Sequence, residues 1–110
     1  MNVNYFKFME RARTEFLRQY AIQQQQLKDQ DYLFVVKSAQ CDYKAPALLD
    51  DALTVTVEVL KHSAASVTFS QQIIAGCVLC SAHIEVVCVS ATSMKPRRFP
   101  PQIKQIFSRA

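Results

Sequence analysis

Three groups of residues in this 110-residue chain have types and spacings capable of chemistry. They are Cys77-x-x-Cys80 with His83 three positions on, Glu10 inside an aromatic-rich segment, and a run of cations after Glu85. Two thiolates and an imidazole are zinc or dithiol-redox ligands, but a structural zinc site wants a second ligand pair and none is visible. If the segment is a strand, positions 80 and 83 face opposite ways and Cys77 falls in the turn before it. Plain hairpin packing is therefore the expectation, with no metal. Neither His62 nor His83 accompanies a nucleophile motif, and no G-x-S-x-G elbow occurs. A single glycine, Gly76, excludes a glycine-rich phosphate loop.

Glu10 follows Phe8 and Met9. A carboxylate partly buried among such side chains holds its proton more tightly and can act as a general base. The alternative is a surface pair with Arg13 one helical turn on. No acidic residue follows Glu85, whereas Lys95, Arg97, Arg98, Lys104 and Arg109 all do, within a net charge of +4. Such a cluster suits a polyanion (nucleic acid, anionic lipid or a phosphorylated cofactor) or is a solvated tail. Surface aromatics interleaved with the cations, and any nucleic-acid-binding motif, are missing, so no nucleic-acid partner is expected.

These residues need elements to hold them. From Asn4 to Tyr20 a helical period places Tyr5, Phe8, Met9, Ala12, Phe16, Leu17 and Tyr20 on one stripe. A stripe that wide needs a sheet to cover. Ala21 to Asp31, glutamine-rich, reads as a polar connection or a short second helix. Strands follow. Tyr32–Tyr43 stops before Ala45-Pro46, and Leu53–Val59 alternates apolar with Thr or Glu. Val67–Ile73 alternates likewise, and after the Gly76 turn Val78–Ser90 puts Ala82, Ile84, Val86 and Cys88 on one face. Short connections suggest a meander-like antiparallel sheet. A last helix runs through Ile103, Ile106 and Phe107, with Pro101 suited to its first position.

Length and composition allow one domain, residues 1–110, with half its residues hydrophobic. No apolar run is long enough for a transmembrane segment, and Lys7, Glu10, Arg11 and Arg13 interrupt any secretory apolar region. A cytoplasmic protein with reduced cysteines is expected.

The block Asn4-Tyr5-Phe6-Lys7-Phe8-Met9-Glu10-Arg11-Ala12-Arg13-Thr14-Glu15 resembles the H-x-x-Y-x-x-F-x-E-R-A-R-x-E signature of the YbgC-like branch of the 4-hydroxybenzoyl-CoA thioesterase family. The resemblance continues in order through Phe34-Val35-Val36, the stretch from Tyr43 to Asp51, Ser66-Val-Thr-Phe69-Ser-Gln71, Val87-Cys-Val89 and Met94-Lys-Pro-Arg97. One departure is Ser63-Ala64, where the family often has Arg-Gly.

The resemblance implies an α+β hotdog fold, a long central helix wrapped by an antiparallel sheet. Here that means the helix and four strands, without the family's first strand. The D-x-D-x-x-G-x-V-Y-H turn of that family would precede the helix; its catalytic aspartate has no counterpart in this sequence, and Asn2 stands at the position of its histidine. By the same resemblance the chain hydrolyses acyl-CoA thioesters, or acyl-carrier-protein thioesters, without a cofactor. A non-catalytic acyl-CoA or acyl-carrier-protein binding module is the alternative. Tyr5, Glu10 and Asn2 are the implied catalytic positions, and Lys95, Arg97, Arg98 and Ser66 the coenzyme A-binding ones. The family builds its sites between protomers, which implies a homodimer or a homotetramer.

Overall fold

The computed structural model describes residues 5–48 and 51–109. In chain order they form α1 (Tyr5–Arg18), α2 (Gln24–Asp29), β1 (Leu33–Tyr43), β2 (Thr54–Val55), β3 (Glu58–His62), β4 (Ser66–Ala75), β5 (Cys77–Val89) and α3 (Pro101–Arg109). All strands belong to one antiparallel sheet in the order β1-β5-β4-β2, with β3 also on β4. This is the α+β arrangement expected from the sequence, and α3 begins at Pro101 as anticipated.

Two sequence expectations need correction. The sheet is a meander only from β2 to β5, because β1 pairs with β5 on the edge opposite β2 and β3. The segment after Tyr43 carries the chain across. Its first amides, those of Lys44 and Ala45, both donate to the Leu79 carbonyl, and Pro46 then ends ladder donation. The strand expected at Leu53–Val59 is split into two pieces, although both pair with β4, in one register as far as Val59. The break lies at Thr56, whose hydroxyl takes the Gln72 amide at 2.9 Å in place of its own carbonyl. That carbonyl faces the Gln71 side-chain amide instead.

One face of the sheet is apolar and the other polar, as period-two alternation dictates. Val67, Phe69 and Ile73 of β4 and Cys80, Ala82, Ile84, Val86 and Cys88 of β5 are buried. Against them pack Met9 and Leu17 of α1 and Ile103 and Phe107 of α3. Edge-to-face rings tie the layers together: Phe34 to Phe99, Phe99 to Phe107, Phe107 to Phe69 and Phe69 to Phe16, with centroids 5.1–6.0 Å apart. The helical stripe is narrower than expected, since Phe8 and Tyr20 are 37% and 48% exposed. The sheet reaches only one side of α1, so the flanks of a wide stripe stay uncovered. Among the described residues no helix is long and apolar enough to cross a membrane.

Candidate active site

Tyr5 opens α1 and is buried, its ring stacked on Tyr43 at 5.5 Å and its hydroxyl 3.5 Å from the Ala45 carbonyl oxygen. The start of the helix is thus seated at the end of β1. One turn on, Gln71 of β4 is completely buried and joins the helix to the sheet. Its amide nitrogen donates to the Met9 carbonyl at 3.0 Å, and its amide oxygen accepts from Arg13 Nη1 at 2.7 Å. Burial pulls the Arg13 pKa down, and the nearby Glu10 charge offsets part of that.

Glu10 itself is exposed, not partly buried among aromatics. It stands on the rim of a pocket of about 250 Å³ between the later turns of α1 and the sheet. Arg13 and Thr14 share that rim, while Phe34, Val67, Phe69, Val86 and Phe107 form the apolar interior. Phe34 lies near the start of β1, at the far end of that strand from Tyr43.

The basic tail approaches that same end. Arg97 donates from Nη1 to the carbonyls of Gln30 at 3.1 Å and Asp31 at 2.9 Å. Its guanidinium also lies 3.8 Å from the Tyr32 ring centroid. Asp31 takes up a left-handed backbone (φ 68°). Its carboxylate accepts from Ser90 Oγ at 2.7 Å and from the Thr92 amide and hydroxyl at 2.9 and 2.8 Å. Those hydrogen bonds, from Ser90 first and then Thr92, lower the Asp31 pKa, with a smaller contribution from Arg97.

Arg97 is therefore occupied in clamping the tail to the start of β1. Lys95 and Arg98, both exposed, hold no hydrogen bond or ion pair from their side chains among the described residues. Ser66 sits at the β3–β4 turn, its hydroxyl 2.6 Å from that of Ser63, and the Phe99 amide donates to Ala64 in the same turn.

The structure thus gathers Ser66, Lys95, Arg97 and Arg98 at one end of β5, where Val87 and Val89 pair with Ser66 and Leu33. Tyr5 is at the other end, beside Tyr43, which pairs with Cys80. Nine residues of β5 separate the two ends, roughly 30 Å at the rise of an extended strand. One protomer does not bring Tyr5 and the basic cluster together. Asn2 lies outside the described residues.

The Cys77/Cys80/His83 spacing does not converge either. Cys77 and His83 are exposed, whereas Cys80 is buried on the core face. Burial, with help from neighbouring Cys41, pushes the Cys80 thiol up to about 11, and burial does the same for Cys88, to about 11. Neither is a ready thiolate near neutrality.

Sequence reading missed Gln71, Arg13 as its partner, and the Asp31 clamp. Gln71 carried a signal, because it shares the period-two face of Val67, Phe69 and Ile73.

Comparison with known proteins agrees with this fold. The profile of the thioesterase-like superfamily matches residues 1–107. The chain is 40% identical over 108 residues to the acyl-CoA thioesterase YbgC of Haemophilus influenzae, covering 96% of this chain and 79% of that one. It is 39% identical over 104 residues to the acyl-CoA thioester hydrolase YbgC of Escherichia coli O6:H1, covering 93% and 78%. The crystal structure of a probable thioesterase from Bartonella henselae superposes with a TM-score of 0.82 at 30% identity, over 87% of this chain and 81% of that one. Helix block, sheet order and overall match together place this chain, as a hotdog-fold protein, in the thioesterase-like superfamily.

Proposed function

We propose that the protein hydrolyses acyl-CoA thioesters in the cytoplasm. The observation that carries this reading is the pocket. Its interior is apolar, its rim bears Glu10, Arg13 and Thr14, and Phe34 on its wall touches Phe99 of the tail that carries Lys95 and Arg98. An acyl group fits the interior, a thioester the rim, and the coenzyme A phosphates the exposed cations. Glu10 takes the proton from an attacking water. The new C–O bond then replaces the C–S bond, and coenzyme A leaves as its thiol. No cofactor is needed for these steps. Acyl-carrier-protein thioesters share the reacting bond and are further substrates.

The separation of Tyr5 from the basic end supports a homodimer, paired further into a tetramer, in which Tyr5 serves the site of a second copy. Thiol release from a panel of acyl-CoAs tests the activity. Release is expected, and Glu10→Gln lowers it about 10²-fold or more, the usual scale for a general base. Binding without release from any acyl-CoA overturns the hydrolase reading in favour of a binding module. Sedimentation as a monomer overturns the shared site.

A further inference from the structure

Resting on the reading that Lys95 and Arg98 hold the coenzyme A phosphates, we infer that Asp31 is a positioning residue for that site. It acts through the Ser90–Lys95 turn, which it closes, and so sets where those two cations stand.

The turn reverses the chain at the end of β5. The Ser90 amide donates to the Lys95 carbonyl at 2.8 Å, Val89 pairs with Pro96, and the Arg97 amide donates to the Cys88 carbonyl at 2.9 Å. Inside it the Met94 amide donates to the Ser90 carbonyl at 2.8 Å, and Met94 has a left-handed backbone (φ 62°). A residue with a side chain keeps that conformation only where its surroundings impose it. Asp31, which lies 59 and 61 positions before Ser90 and Thr92, supplies the constraint. One carboxylate oxygen takes both the amide and the hydroxyl of Thr92, and the other takes the Ser90 hydroxyl. With its proton committed to Asp31, the Ser90 oxygen is left to accept from the Ser93 amide at 3.2 Å. Arg97 then ties the returning chain to the Asp31 carbonyl at 2.9 Å. Lys95 and Arg98 flank Pro96-Arg97, the segment so anchored, and both are exposed. A cation on a fixed backbone loses less freedom on meeting a phosphate than one on a loose tail.

A carboxylate this near a phosphate site repels the ligand, which gives the test a sign. By charge alone, neutralising Asp31 strengthens the binding of a polyanion; by position, it weakens it. Asp31→Asn keeps the size and tolerates the left-handed backbone, but turns one acceptor into a donor. Ser90→Ala loosens the same turn without changing any charge. Calorimetry with free coenzyme A is run on the folded variants, beside kinetics with an acyl-CoA and the matching acyl-pantetheine, which has no phosphates. Each substitution should weaken coenzyme A binding by about five- to tenfold, and raise KM for the acyl-CoA to match. The kcat for acyl-CoA, and both constants for acyl-pantetheine, should not change. In a protein already carrying Lys95→Ala and Arg98→Ala, Asp31→Asn should shift coenzyme A affinity by less than about twofold. Tighter or unchanged binding in either variant, or an equal loss with acyl-pantetheine, overturns the inference. If Lys95→Ala with Arg98→Ala leaves coenzyme A binding intact, those cations are not the phosphate site, and the inference falls with that reading. If no thioester is turned over, the hydrolase reading falls and the affinities still decide the inference.

Discussion

Replacing Gln71 with leucine isolates the polar link between helix and sheet. The two side chains are similar in size, so little cavity forms, while both hydrogen-bonding ends vanish. The Arg13 guanidinium, already partly desolvated, loses its 2.7 Å acceptor. A hydrogen bond to a charged group is worth about 1.5–3 kcal/mol, and the 3.0 Å bond to the Met9 carbonyl adds about 1 kcal/mol. The bond to Thr56 is long, at 3.5 Å, and adds little. A loss of about 2.5–4 kcal/mol is expected, a large share of the roughly 5–15 kcal/mol that holds a domain together. It corresponds to a fall in Tm of at least about 10 °C. Urea titrations at one protein concentration, so that any oligomer contributes equally, measure it. A double-mutant cycle with Arg13→Met should return a coupling of about 1.5 kcal/mol or more. Additive losses, with coupling under about 0.5 kcal/mol, would show that the guanidinium does not depend on Gln71.

Four further outcomes follow from the clamp, the basic tail and the thiols. Arg97→Ala removes two carbonyl contacts and the Tyr32 ring, so about 2 kcal/mol of stability should go. Arg98→Ala should leave the melt within about 0.5 kcal/mol and weaken coenzyme A binding, more so at low salt. Asp31 has its pKa depressed in the folded state, so its contribution is present above the unfolded value and disappears as pH falls through the folded one. Asp31→Asn should therefore flatten the acid side of a stability–pH curve, and an unchanged acid limb would contradict the assignment. In timed alkylation near pH 7.5, read by mass spectrometry, Cys77 should react well before Cys80 or Cys88.

Local periodicity was the legible part of this fold. The helix at Tyr5–Arg18 and the alternation of β4 and β5 followed from spacing alone, and so did the opposite facing of Cys80 and His83. What periodicity does not encode is which strands meet. β1 pairs with β5 across nearly half the chain, and nothing local to either strand specifies that partner. The break at Thr56 was illegible for a related reason, since its own hydroxyl takes the Gln72 amide in place of its carbonyl. In the site, Glu10 and Tyr5 came from a helix signature, while Arg97 was implied, with Lys95 and Arg98, as a coenzyme A contact. Its partners, Gln30 and Asp31, lie 67 and 66 positions away, so only the folded chain reveals that it is occupied.

The same contrast between near and distant pairing has a kinetic side. β4 and β5 meet through Ala75 and Cys77 around Gly76, whose φ of +74° closes the turn without strain. Their contacts form a zipper with almost no loop to close, and they contain most of the sheet's buried side chains. β1 must instead search for β5 from the far half of the polypeptide, a slow step in chain-entropy terms. Folding should then proceed from this hairpin outward. Substitutions such as Ile73→Val or Ile84→Val would slow refolding, and changes at Phe34 would chiefly speed unfolding. The edge strand that supplies part of the pocket wall would be the last to dock and the first to leave, so that pocket would open before the rest of the domain gives way.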